Sequence, residues 1–197
     1  GHAAGTGADL AAATEHVRGF KAVRHLLPAG DPDVLAMATA EEELKTKVGA
    51  AYEACCGGSG SGAGAGGAGV AGGGCGGGAA EEEMDLAGVM HHARLLATLH
   101  GRGAAADRFF GTLLAALRAE LGSVAASASS FVELAGAILN AVAAAIQRSE
   151  AFVADVFAGV GGPSRLVAEL GGVGGAEVAA VLRKFEAENA LAERERR

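Results

Sequence analysis

The stretch FVELAGAILNAVAAAIQRSEAFVADVF, residues 131–157, decides the fold. Its large apolar side chains recur every three or four residues, which is the spacing of one face of an α-helix. The set comprises Phe131, Leu134, Ile138, Leu139, Val142, Ile146, Phe152, Val153, Val156 and Phe157. Each such side chain contributes roughly 1.5–3 kcal/mol when fully buried, so the set represents well over about 10 kcal/mol. The helix is therefore predicted to pack between neighbours rather than stand alone.

The composition of the whole chain favours the same fold class. Half of the 197 residues are apolar, much of that half is alanine, and only seven Phe and one Tyr are aromatic. Alanine favours a helix because it loses no side-chain entropy there, whereas the residues typical of strands are scarce. Alanine also buries little area, so we expect a thin all-α bundle rather than a thick core.

Outward from residues 131–157, the same spacing predicts about seven helices in an elongated antiparallel bundle or rod. The predicted helices are 8–27, Asp31–Pro32 to about Cys56, Glu81–Glu83 to about Gly101, a fourth spanning Phe110–Val124, 131–157, Pro163 to Gly171–Gly172, and one from about Ala176 onward. Asp is a good helix cap and Pro fits the first helical position, which fixes the second start. Short connections favour antiparallel neighbours.

A glycine tract divides the helical pattern into two parts. Residues 57–78 contain 14 glycines in 22 positions. Each glycine costs a helix roughly 1 kcal/mol relative to alanine, so a helical tract would lose on the order of 14 kcal/mol. We expect three segments: a helical hairpin over 8–56, a disordered glycine-rich linker over 57–79 that is an insertion, and a helical bundle segment over 80–197.

Charge and cysteine content narrow the class of protein. The net charge of −7 argues against nucleic acid as a partner, because binding phosphates needs a basic surface. The longest apolar run, around Ala135–Ile146, is too short to span a bilayer, so no transmembrane segment is predicted. No secretory signal is visible, and three cysteines form no disulfide framework. These features predict a cytosolic protein.

The tract contains a formal G-x-G-x-x-G match at Gly62, Gly64 and Gly67. In a dinucleotide-binding fold this turn follows a strand and opens a helix, so that phosphate oxygens reach backbone N–H groups. Here the match follows a helical segment, and the density of glycine alone generates it. No cofactor is predicted.

Cysteine and histidine residues are the other candidates for chemistry. Cys55 and Cys56 are adjacent and Cys75 lies in the tract, whereas zinc sites use spaced pairs. His91 and His92 point about 100° apart on a helix, so they cannot chelate one ion as an i, i+4 pair can. No metal site is predicted.

No nucleophile motif such as G-x-S-x-G occurs, so no catalytic residue is predicted and the chain is not expected to be an enzyme. Two runs of carboxylates, Glu41–Glu43 and Glu81–Glu83, are interpreted as solvated helix surface. Met37, Met84 and Met90 are interpreted as core filler.

Residues 131–186 and 85–121 resemble the family of subunit 4 of the conserved oligomeric Golgi complex. The resemblance consists of a long amphipathic helix, a glycine–proline turn followed by Arg-Leu, a helix ending in Lys-Phe, and an upstream Asp-Leu-x-x-Val segment. The matching residues are Phe131, Ile138, Gly162, Pro163, Arg165, Leu166, Val181, Lys184 and Phe185, with Asp85, Leu86, Val89, Leu96, Leu99, Phe110 and Leu121 upstream. The likeness covers about 9–56 and 80–197, and the glycine tract departs from it.

The resemblance implies a structural subunit of a vesicle-tethering complex that acts in retrograde intra-Golgi transport, peripheral on the cytosolic face of Golgi membranes. Its implied partners are the other subunits of the complex, syntaxin-class Golgi SNAREs and a Sec1/Munc18-type regulator. It implies no catalytic residue. Two other functions stay open: a segment of another helical-rod tether subunit, as in exocyst-like complexes, and a small helical metal-binding or enzymatic bundle.

Overall fold

The computed structural model describes residues 3–28, 30–56, 84–127 and 130–195. This part of the chain is all-helical and contains no strand, which confirms the predicted fold class. Its helices are α1 (Ala3–Val23), α2 (Pro32–Cys55), α3 (Leu86–His100), α4 (Arg102–Ser127), α5 (Phe131–Val156) and α6 (Gly162–Glu195), with short 3₁₀ helices at Arg24–Leu26 and Ala158–Val160. The predicted linker, 57–79, lies outside the described residues, as do Gly62, Gly64, Gly67 and Cys75.

Side-chain caps start three of the helices. The Asp31 carboxylate accepts a hydrogen bond from the backbone N–H of Asp33. Pro32 occupies the first helical position of α2, as predicted. Asp85 caps α3 and Ser130 caps α5 in the same way. The predicted acidic start of α3, Glu81–Glu83, lies outside the described residues. Within the described chain, α3 begins after its Asp85 cap.

The predicted break at Gly171–Gly172 is wrong. Where the sequence suggested a sixth and a seventh helix, the structure has one continuous helix of 34 residues, so the described chain contains six α-helices. Gly174, inside this helix, explains part of the difference. A Cβ atom there would lie 2.6 Å from Cγ2 of Val142, so the missing side chain lets α6 approach α5 closely. Tertiary packing thus outweighs the low helix propensity of glycine.

Each helix packs mainly on the next one along the chain. In addition, α1 contacts α3, and α4 contacts α6, so the helices form one continuous array. The α5–α6 pair is antiparallel as predicted, because the Phe131 ring stacks on Phe185 at one end while Gly162 meets Val153 at the other. One core runs from Val17 in α1 to Leu170 in α6.

Four aromatic rings form the centre of this core. Phe109 and Phe110 lie side by side on α4, and Phe152 and Phe157 approach them from α5 and the residue that follows it. The Phe109 ring centroid is 5.0 Å from that of Phe152 and 5.7 Å from that of Phe157. These separations are typical of favourable aromatic pairs. The rings therefore fix the junction of α4 with α5.

Ser149 on α5 is fully buried, and its Oγ atom has no hydrogen-bond partner among the described residues. A buried hydroxyl without a partner carries a desolvation penalty of about 1–3 kcal/mol. We therefore expect Ser149→Ala to raise the free energy of unfolding, measured by urea denaturation. The matched control is Thr14→Ala, since the buried Thr14 hydroxyl donates to the Leu10 carbonyl at 2.8 Å. A loss of stability in Ser149→Ala would contradict this prediction.

Helix α5 also bears on the predicted absence of a transmembrane segment. It has 26 residues, its most apolar stretch of 18 residues has a mean hydropathy of 1.3 and is 22% buried, and it is the one helix of the described residues that is long and apolar enough to cross a membrane. Length and composition alone do not distinguish a membrane span from a core helix of a soluble protein, because both meet these criteria. In this fold α5 packs against both α4 and α6.

Candidate functional site

A polar corner forms where α2 ends and α3 begins, and it gathers several residues that the sequence singled out. The Asp85 amide donates to the Cys55 carbonyl at 3.1 Å, which ties the two helix ends together. The Cys55 Sγ atom lies 3.7 Å from Nδ1 of His92. The tertiary fold thus pairs a thiol with an imidazole that are 37 residues apart in sequence.

The geometry of this corner does not activate the thiol. His92 Nδ1 lies 2.8 Å from the Gly88 carbonyl oxygen, which can only accept, so this nitrogen carries the proton. A general base needs an unprotonated nitrogen facing the thiol. Burial, with the nearby Asp85 charge, raises the pKa of the Cys55 thiol, so it stays protonated at neutral pH. We therefore assign this corner a structural role.

The neighbouring thiol belongs to a second polar cluster, between α2 and α4. The Tyr52 hydroxyl, on a side chain only 2% exposed, lies 2.8 Å from Oγ1 of Thr112. Cys56 Sγ also lies near Thr112, 3.8 Å from its Oγ1 atom, and burial raises the pKa of the Cys56 thiol. The Arg108 guanidinium lies over the Tyr52 ring at 5.0 Å and donates to Glu53. Sequence reasoning missed this cluster, because its bonded pairs are 55 to 60 residues apart in sequence.

Burial raises the pKa of Tyr52 to about 12. Tyr52 is the only tyrosine of the chain, so absorbance of phenolate near 295 nm reports this one group. The unfolded tyrosine titrates at about 10. Because the folded pKa is higher, the neutral phenol stabilises the fold below pH 10, and this contribution is lost as the pH rises from 10 to 12. We expect one phenolate transition well above pH 10.

Titration of the chain unfolded in urea supplies the reference for that measurement. There the transition should fall near pH 10. If the folded and the unfolded chain titrate together, Tyr52 is not buried as described.

The two adjacent histidines of α3 point in different directions. The His91 and His92 rings meet edge to face, with centroids 5.1 Å apart, but His91 is exposed while His92 turns toward Cys55. No group of three or more His, Cys, Asp or Glu side chains within the described residues is placed to hold a metal ion.

The carboxylates of Glu41–Glu43 differ from one another. Glu42 and Glu43 are exposed, as predicted, whereas Glu41 is half-buried and lies 2.8 Å from both Lys21 and Lys45. Burial alone would raise the pKa of Glu41, but hydrogen bonds from the two lysines outweigh it and lower the pKa. Glu41 therefore ties α1 to α2.

The methionines Met37, Met84 and Met90 are half-buried against the hydrophobic core. Their interpretation as core filler is confirmed.

The glycine–proline turn at the start of α6 is a closely packed corner. Gly161 has φ +74°, a conformation that side chains rarely adopt, and ends the preceding 3₁₀ helix. A Cβ atom at Gly162 would lie 2.9 Å from the carbonyl oxygens of Val153 and Phe157. Leu166 is fully buried one turn later. These three constraints together fix the angle at which α6 leaves α5.

Arg165, in the same corner, joins α6 to α4. Its guanidinium donates to Asp107 at 2.6 Å and lies 4.7 Å above the ring of Phe110. It also donates to Glu169 one turn along α6, and these hydrogen bonds raise its pKa. The sequence singled out Arg165 but not Asp107, which is 58 residues away. Only the fold shows that the arginine is a structural clamp.

The surface of the described chain has an open cleft of about 130 Å³ and two groups of exposed apolar side chains. The cleft lies between α3 and α4 and is lined by Leu96, His100, Ala104, Ala105 and Arg108. One apolar group, the α1–α2 tip, comprises Val23, Leu26, Leu27 and Leu35. The other group is spread along the length of α5 and α6 and comprises Val132, Leu139, Val167, Leu182 and Phe185. A surface of this kind suits contact with another protein better than enclosure of a small molecule.

No family model, no curated protein and no solved structure matches this chain.

Proposed function

We propose that this chain is a segment of a structural subunit of a multisubunit vesicle-tethering complex acting in retrograde intra-Golgi transport. In this role it binds other subunits of the complex and SNARE machinery through its helical faces, and it catalyses no reaction. We place it on the cytosolic face of Golgi membranes. We also propose that the array continues the elongated rod of such a subunit, with residues 57–79 as a flexible insertion.

The observation that carries the proposal is the corner at the start of α6. The residues that carry the resemblance there, Gly162, Arg165 and Leu166, each have a distinct structural task. They fix the direction of α6 against α4 and α5, which is what a helical scaffold requires of its turns. The likeness at this corner therefore rests on residues whose identity matters, in addition to a helical apolar pattern.

The exposed apolar side chains also support a binding role. At the α1–α2 tip, Leu26 is 73% exposed and Leu35 is 62% exposed. On α5, Val132 is 78% exposed and Leu139 is 59% exposed. Large apolar groups at the core of a protein interface lose contact with water on binding, which supplies much of the affinity.

Co-purification from cells tests the proposal. The tagged full-length protein should recover Golgi tether subunits, identified by quantitative mass spectrometry. Two double variants should show which group of exposed apolar side chains binds the partner, because a buried charge opposes association. One carries Leu26→Glu with Leu35→Glu, and the other carries Val132→Glu with Leu139→Glu. Ala40→Glu, at an exposed position outside both groups, is the matched control. Recovery without any Golgi tether subunit would contradict the proposal.

A further inference from the structure

The two halves of α6 are held very differently. In the first half, Leu166 and Leu170 are fully buried, and Arg165 is bound to α4. In the second half, no described side chain of residues 175–187 is buried. Its apolar contacts include those of the half-buried Val178 and Val181 and the stacking of Phe185, still 44% exposed, on Phe131. The second half is therefore attached by far less apolar burial than the first.

Four glycines separate these halves, at 171, 172, 174 and 175. Packing explains only Gly174, which lies against Val142. At Gly171, Gly172 and Gly175, an added Cβ would meet nothing within 4 Å. None of the three has a positive φ, so alanine fits these positions and would favour the helix. The helix is thus weakest at the point where its packing changes.

We propose that residues 171–175 are a hinge on which the second half of α6, residues 176–195, opens away from α5 as a unit. The first half stays in place, because its buried leucines and its arginine clamp hold it to the rest of the array. Opening moves Gly174 away from Val142 and Phe185 away from Phe131, which uncovers apolar surface on the first half of α5. This conformational device does not depend on the identity of any partner and so goes beyond the proposed function.

Native-state hydrogen exchange of the intact chain tests the hinge, since local openings expose amides that global unfolding would otherwise protect. In the wild-type chain we expect the amides of 178–187 to exchange about a hundredfold faster than those of 165–170. We expect a step in protection between the two groups, at the glycines. A detached segment of this length is a marginal helix in water, so its amides exchange once it opens.

A triple variant, Gly171→Ala with Gly172→Ala and Gly175→Ala, should close the hinge. The three substitutions together should slow exchange of 178–187 about fiftyfold, because alanine favours the continuous helix over the broken one. The matched control is Gly111→Ala with Gly122→Ala and Gly136→Ala, three helical positions that are equally open. It stabilises the whole fold but not the hinge, so it should slow exchange of 165–170 and leave 178–187 unchanged.

A variant that is expected to speed up exchange of 178–187, rather than slow it, makes the test independent of overall stability. Gly174→Ala places a Cβ against Val142, so exchange of 178–187 should become about tenfold faster while circular dichroism shows that the chain stays folded.

Three results would overturn the hinge. Protection that declines steadily toward residue 187 would mean ordinary fraying of a helix end. Equal slowing of 178–187 by the two triple variants, or equal protection of 165–170 and 178–187 in the wild type, would mean that the segment opens only when the whole chain unfolds.

Discussion

Replacing Phe109 by alanine is expected to lower the free energy of unfolding by about 3–5 kcal/mol. The side chain is fully buried, and its ring touches Phe110, Phe152 and Phe157. Removing it leaves a cavity between α4 and α5 and deprives three other rings of a partner. A chain of this kind has a total stability of about 5–15 kcal/mol, so the loss is a large fraction of it. Urea or thermal unfolding followed by circular dichroism measures the change.

Phe185→Ala is the matched control for that measurement. It removes the same side chain from a site that is 44% exposed and stacked on a single ring. Because much less apolar area leaves contact with protein, we expect a loss of about 1 kcal/mol. If Phe109→Ala fails to fold, Phe109→Leu keeps most of the volume and should give a smaller, measurable loss. Equal losses in Phe109→Ala and Phe185→Ala would show that the aromatic cluster does not form the centre of the core.

Adding a single methyl group at Gly162 is expected to destabilise the chain by about 2–3 kcal/mol. The new Cβ would lie 2.8 Å from Cγ1 of Val153 and 2.9 Å from two backbone carbonyl oxygens. Backbone oxygens cannot move aside as the end of a flexible side chain can, so the whole corner must shift. That shift would disturb Leu166 and Arg165, which follow within one turn. Thermal unfolding should show a fall of several degrees in Tm.

Gly171→Ala provides the opposite case on the same helix. The added Cβ meets nothing within 4 Å, so we expect a gain of up to about 1 kcal/mol from the higher helix propensity of alanine. Comparing Gly162→Ala with Gly171→Ala separates steric crowding from helix propensity, because the same methyl group is added in both variants. A stable Gly162→Ala variant would remove the argument that this turn sets the direction of α6.

Much of the fold was predictable because the local signals agree with the tertiary structure. The period of the apolar residues in 131–157 predicted α5, and Asp31 with Pro32 predicted the start of α2 within a residue. These signals act over a few residues, and the burial of the apolar face is then required whatever the neighbour. Gly171 and Gly172 in α6 show where prediction from local signals fails. Helix propensity predicted a break at Gly171–Gly172, and packing against α5 carried the helix through it.

The candidate site also combines features that a local pattern predicts with features that depend on contacts between distant residues. The spacing of His91 and His92 predicted that they do not form a chelating pair, because that geometry is local. The meeting of Cys55 with His92 was not predictable, since no local signal relates residues that are 37 positions apart. The same holds for Tyr52 with Thr112 and for Arg165 with Asp107. Such pairs depend on which helices become neighbours and in what register.

The sequence by itself determined that residues 131–157 form an amphipathic helix that has to be buried, and that helices make up the fold. This follows because periodicity and apolar area are properties of the chain alone. The tertiary structure decided what covers that helix. It packed both α4 and α6 against α5, and it made Gly162 and Gly174 points of close approach between α6 and α5. Shape complementarity between distant segments determines such contacts, and a linear pattern does not contain it.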